Sequence, residues 1–267
     1  METTPKIRKQ TDLFRTCLTA KNYSKRTIEQ YSSILKMFLS DFNEYPRDIT
    51  TNQITGWIAS KGNASTMGQY RGALKNYYDH VIGQPNKFSR IPYPKKEKKL
   101  PQIMSQKTIV ERINLIGNMK HRMIVSVLYG SGIRLSELLE LRITDIDGDR
   151  NTIFIRSGKG GNDRLIPISE KLIQDLREYY RQYRPKSFLF EGQFGGRYSS
   201  TSVQNICKKY MKCNPHALRH CCLTHLIEKG VHISEVSKRA GHSKISTTHD
   251  TYSHIATTFN PITLLAA

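Results

Sequence analysis

Carboxylates are scarce in this sequence of 267 residues: 22 Asp and Glu stand against 42 Lys and Arg, leaving a formal net charge of +20. Such a field repels acidic surfaces' opposites and draws polyanions, nucleic acid first. Long apolar runs are also missing. Hydrophobic residues make up 37% of the chain, and none of its apolar stretches approaches the ~18 residues of a membrane helix. Met1 to Asp12 holds no apolar segment of the kind a secretory signal needs, so a cytoplasmic protein with no membrane partner is expected. The five cysteines (Cys17, Cys207, Cys213, Cys221, Cys222) are odd in number and contain no C-x-x-C pair, which argues against a disulfide framework and for reduced thiols. Neither a G-x-x-x-x-G-K-[ST] phosphate loop nor a cluster of carboxylates occurs, so no cofactor and no metal are expected.

At ~100–200 residues per domain, the length suggests two domains. The break lies where Pro92, Pro94 and Pro101 bracket a run of charge from Lys95 to Lys99, a composition that can neither sustain a helix nor bury a face. This predicts a helical domain over 1–93, a linker over 94–104 and a second domain over 105–267, each with net positive charge. In the first, apolar residues recur at helical spacing (Phe14, Cys17, Leu18; Ile28, Tyr31, Leu35, Leu39; Ile54, Trp57, Ile58; Tyr70, Leu74, Tyr77, Val81), predicting four short helices. Ser24 is placed to cap the second, and Asn63 or Ser65 the fourth. Lys25, Arg26, Arg71 and Lys75 flank these stripes, where they can meet DNA phosphates.

In the second domain, Ser105 caps a predicted helix to about Ile116. Another runs from about Met119 to Tyr129, is broken by Gly130-Ser131-Gly132 and restarts over Arg134–Leu141. The period then changes. Thr152–Arg156 and Arg164–Ile168 read as strands of a hairpin, with Lys159 at its glycine-rich tip. Helices resume at about 170–182, 200–212, 216–229 and 234–240, giving a mainly α fold with a small β-sheet.

Three stretches carry candidate chemistry. Arg134 and Glu137, three apart, would share a helix face, the carboxylate orienting a guanidinium suited to phosphate. His216 and Arg219 repeat that spacing at a helix start marked by Pro215, joining a proton carrier to a fixed cation. Cys213, His216, His220 and Cys221 could instead be metal ligands, but their spacing matches no standard zinc pattern. Finally, His242 precedes Tyr252 by ten positions.

The ordered set Arg134, Lys159, His216-x-x-Arg219, His242 and Tyr252 resembles the tyrosine recombinase (phage integrase) family, in a compact, Xer-like two-domain layout. The resemblance implies an N-terminal core-binding SAM-like domain and an α+β catalytic domain that close as a clamp around double-stranded DNA. It also implies paired recombination sites, a homo-tetramer on DNA formed from a protein monomeric in solution, and work at the nucleoid. Carried over residue by residue, Arg134 and Arg219 would bind the non-bridging oxygens of the scissile phosphate, with Glu137 in support. His216 and His242 would add hydrogen bonds and manage protons, and Lys159 would protonate the departing 5′ oxygen. Tyr252 would attack phosphorus to leave a 3′-phosphotyrosyl bond, and strand exchange would proceed through a Holliday junction. A type IB topoisomerase would use similar chemistry, and a DNA-binding regulator could keep the clamp without the reaction. Two departures from the family pattern stand out: Ala240 where Leu is common, and a short tail after Tyr252 interrupted by Pro261.

Overall fold

The computed structural model describes residues 5–42, 44–95, 103–156 and 163–241. The chain divides into two units, Met1–Lys99 and Leu100–Ala267. Of the predicted linker, residues 96–102 lie outside the described part.

The first unit contains the helices α1 (Pro5–Ala20), α2 (Lys25–Asp41), α3 (Thr51–Ala59) and α4 (Ala64–Tyr77). Local chemistry sets their starts. Ser24 Oγ accepts the Thr27 N–H, Thr50 and Gln53 form a reciprocal capping box, and Asn63 Oδ1 accepts from Ser65 and Thr66, so orphan donors of each first turn are met. The apolar stripes converge on an aromatic core: the Phe38 ring lies 5.0 Å from that of Trp57, nearly perpendicular, and Phe14 meets Tyr77 edge-on at 5.6 Å. Beyond α4 the chain continues as a π turn over Tyr78–Ile82, which the apolar stripe reached at Val81, and a 3₁₀ turn over Pro85–Phe88, which apolar periodicity did not signal.

The second unit follows in the order α5 (Gln106–Asn114), α6 (Met119–Ser131), α7 (Leu135–Glu140), β1 (Ile146–Asp147), β2 (Thr152–Ile155), β3 (Arg164–Pro167), α8 (Glu170–Tyr183), α9 (Ser200–Ile206), α10 (Pro215–Glu228) and α11 (Ile233–Ala240). The three strands form one antiparallel sheet in the order β1-β2-β3, with Ile155 opposite Arg164. β1, two residues long, is too short to show a period and was not foreseen. The predicted helix over 200–212 is α9 followed by a π turn over Cys207–Met211. α10 is the central helix: Leu218, Arg219, Cys221, Cys222, Leu223 and Thr224 are all buried, as expected of a helix packed on several sides. It lies against α6 and α11, while β3 also touches α11. The fold is thus mainly α with a small sheet.

Trp57 is the sole tryptophan, so its fluorescence reports on the first unit alone. Phe38→Ala, which empties the centre of that unit's aromatic cluster, is expected to destabilise it by about 3–5 kcal/mol, read as a lower denaturant midpoint of the Trp57 signal.

Candidate active site

Two helix C-termini and one carboxylate organise the site. α6 ends at Gly132 and α11 at Gly241, both in the left-handed region (φ +69° and +59°). A helix end leaves carbonyls without intrahelical partners and concentrates partial negative charge. Arginines meet these carbonyls. At α6, Arg239 donates to Gly130 O at 2.7 Å and to Ser131 O at 3.1 Å, and Arg219 Nη1 donates to Gly132 O at 2.8 Å. At α11, Arg164 Nε donates to Arg239 O at 2.9 Å, Arg219 Nη2 to Ala240 O at 2.5 Å and Arg134 Nη2 to Gly241 O at 2.9 Å. Arg219 therefore bridges the two helix ends, and it is only 2% exposed. The approach is too close for a side chain at 241: a Cβ there would lie 2.9 Å from Arg164 Nη1 and 3.3 Å from Arg134 Nη1.

Glu137 neutralises part of this charge. Its Oε1 accepts from Arg134 Nη1 at 2.9 Å and Arg164 Nη1 at 3.1 Å; its Oε2 accepts from the Arg134 backbone N–H at 2.8 Å and Arg164 Nη2 at 2.9 Å. The pairing of Arg134 with Glu137 was legible from their spacing, but its geometry differs from the expectation. Arg134 is the extended residue before α7 (φ −74°, ψ 154°) rather than a member of the helix, and Glu137 reaches back to it as the third residue of a helix does to its cap. Burial alone would raise the Glu137 pKa; the hydrogen bonds and charges of Arg164 and Arg134 outweigh that and lower it.

α10 carries His216 and Arg219, with Asn214 as N-cap accepting the Ala217 N–H at 2.8 Å and Pro215 at the first helical position. His216 is exposed while Arg219 points inward. The His216 pKa is lowered by partial desolvation and then by the positive charges of Arg219 and Arg134. These three residues accordingly share one electrostatic neighbourhood. The His216 ring meets that of His220 edge-on at 4.5 Å. Among the described residues no three His, Cys, Asp or Glu side chains converge as metal ligands would, Cys213, His216, His220 and Cys221 included. Cys221 and Cys222 are buried in the packing of α10.

Lys159, His242 and Tyr252 lie outside the described residues. In the first unit, Lys25 and Arg26 are exposed at the start of α2. Arg71, by contrast, spends its guanidinium on the chain itself, donating to Ile91 O at 2.8 and 3.0 Å and to Phe88 O at 3.3 Å, and Lys75 pairs with Asp79.

Arg164 and Arg239 are the site residues that sequence reasoning missed. Arg239 left no signal beyond a basic residue in the last turn of a helix. Arg164 left one: in β3 it shares a face with the buried Ile166, so strict alternation places a charge on the inward side.

Known proteins with similar sequences and folds agree on a family. The family model described as Phage integrase family matches residues 96–258, and that described as Phage integrase, N-terminal SAM-like domain, matches residues 11–87. Tyrosine recombinase XerA of Pyrococcus horikoshii is 31% identical over 248 residues, covering 88% of this chain and 85% of that protein. The Pyrococcus furiosus protein of the same name is 32% identical over 248 residues, covering 88% and 86%. In fold, the crystal structure of a lambda integrase (75-356) dimer bound to a COC′ core site matches with a TM-score of 0.75 at 17% identity, covering 90% of this chain and 96% of that one. The crystal structure of XerA recombinase matches with a TM-score of 0.54 at 24% identity, covering 97% and 96%.

Because the folded pKa of Glu137 is depressed, its stabilisation is complete above the ordinary carboxylate range and is lost as pH falls through the folded value. Glu137→Gln, which leaves two guanidiniums without their counter-charge, is expected to cost about 3–5 kcal/mol near neutrality. The gap from wild type should close below about pH 4, measured by calorimetry of the second unit's transition.

Proposed function

This chain belongs to the phage integrase family of tyrosine recombinases, and we propose that Arg134, Lys159, His216, Arg219, His242 and Tyr252 form its catalytic set for site-specific recombination of double-stranded DNA. The observation that carries this reading is the convergence of Arg134 and Arg219, distant in sequence, on the adjacent carbonyls of Gly241 and Ala240, with both charges acting on His216.

The chemistry follows from these groups. A phenol has a pKa near ~10 and is a weak nucleophile at neutral pH. Attack by Tyr252 Oη on phosphorus forms a P–O bond to the tyrosine and breaks the bond to the 5′ oxygen. The phenolic proton must leave and the 5′ oxygen must gain one. His216, whose pKa is held down, stays neutral at physiological pH and can accept the first; His242 assists, and Lys159 supplies the second. Negative charge growing on the non-bridging oxygens is met by guanidiniums already fixed in place, normally the largest contribution to such catalysis. Arg134 suits this role: its side chain is 38% exposed and donates two hydrogen bonds among the described residues out of five available N–H groups. Glu137 and the α11 carbonyl hold its plane, and the remaining donors can receive a phosphate. The 3′-phosphotyrosyl ester conserves the energy of the broken bond, so a different 5′ hydroxyl can rejoin the strand without ATP.

Two such exchanges through a Holliday junction, on paired sites held by a tetramer, complete recombination. Both basic parts of the chain contribute to DNA binding, the first through Lys25 and Arg26, with Arg71 and Lys75 less available because of their internal partners. The reaction takes place in the cytoplasm, at the nucleoid.

Tyr252→Phe is expected to bind DNA with unchanged affinity and to form no covalent adduct on a nicked suicide substrate, scored on denaturing gels; an adduct would remove Tyr252 as the nucleophile. Lys159→Ala should cleave slowly, and a 5′-bridging phosphorothiolate, whose leaving group needs no proton, should restore its rate.

A further inference from the structure

We propose that Arg164 is a positioning residue for the reaction, acting through Glu137 to fix the guanidinium of Arg134. The inference rests on the role assigned to Arg134 above and adds a residue to it.

Arg164 opens β3 and turns inward, its side chain only 10% exposed. Its two terminal nitrogens engage both oxygens of Glu137, at 3.1 and 2.9 Å, a bidentate fork that fixes the plane of the carboxylate as well as its position. The same two oxygens receive the Arg134 side chain and backbone N–H. Its third donor, Nε, is on Arg239 O, two residues before the Gly241 carbonyl that holds the other end of the Arg134 guanidinium. Arg164 thus braces both anchors of Arg134: the carboxylate directly and the end of α11 through its backbone. The packing is close at this end of α11, where a Cβ at 241 would meet Arg164 Nη1 at 2.9 Å and displace it.

Lysine keeps the charge but has no planar fork and cannot hold Glu137 and Arg239 O together. Arg164→Lys therefore isolates positioning from electrostatics. The experiment is a double-mutant cycle on full-length protein. Single-turnover cleavage of a nicked suicide substrate is compared in wild type, Arg164→Lys, Arg134→Ala and the double variant, with DNA affinity measured by mobility shift. Arg164→Lys should slow cleavage about tenfold or more while the dissociation constant changes less than about twofold. In the Arg134→Ala background, where nothing is left to position, it should add less than about twofold. A residue that merely supported the fold would lose activity equally in both backgrounds. If Arg164→Lys melts below the assay temperature, Arg164→Gln, which keeps a donor and removes the buried charge, completes the cycle. Wild-type cleavage by a folded Arg164 variant, or a full loss repeated in the Arg134→Ala background, overturns the inference. Wild-type cleavage by Arg134→Ala is a separate result and overturns the catalytic reading itself.

Discussion

The ends of α6 and α11 meet in the second unit, and their carbonyls have to be satisfied where they meet. Two clustered helix C-termini concentrate partial negative charge and unpaired acceptors. Burying them without donors would cost more than the packing gains. Arg219, Arg239, Arg164 and Arg134 supply those donors. The same four side chains meet the folding requirement of two helix ends and gather positive charge at one place.

That sharing explains why arginine and glycine are needed where they stand. Arg219 reaches Gly132 O with one terminal nitrogen and Ala240 O with the other, a span that a single ammonium cannot make with fixed direction. Gly132 and Gly241 adopt left-handed conformations that end their helices. At 132, too, a side chain would crowd its surroundings, its Cβ lying 3.0 Å from Cys222 Sγ. Positive charge accumulates because, among these contacts, Glu137 pairs with Arg134 and Arg164 only, while Arg219 and Arg239 are met by neutral carbonyls. The surplus is fixed when the chain folds, before any DNA arrives.

What could be read from the sequence was what depends on neighbours along the chain. Apolar spacing located the helices, and Ser24, Asn63 and Ser105 cap them as foreseen. Arg134 with Glu137, and His216 with Arg219, were found because three-residue spacing is visible in one dimension. Spacing could not show that Arg134 stands outside its helix and that Glu137 turns back to it. Nor could it tell Arg71, which is engaged by the carbonyls of Ile91 and Phe88, from Arg26, which is exposed at the start of α2. Both are basic residues beside an apolar stripe, and only tertiary placement separates them. Arg239 belongs to the same class: its partners are the carbonyls of Gly130 and Ser131 on another helix, and no local pattern encodes them.

His216 stands within reach of this surplus charge. On α10 it lies three residues before Arg219, so a buried helix presents an exposed imidazole beside an inward guanidinium. Each cation near that ring makes protonation less favourable, and the cations are there because helix ends had to be capped. Partial burial lowers the proton affinity of this imidazole first, and the guanidiniums held at the ends of α6 and α11 lower it further. Changing one of those termini would move the Arg219 guanidinium that spans them and with it the proton affinity of His216, so the ends at 132 and 241 bear on the imidazole as well as on the backbone.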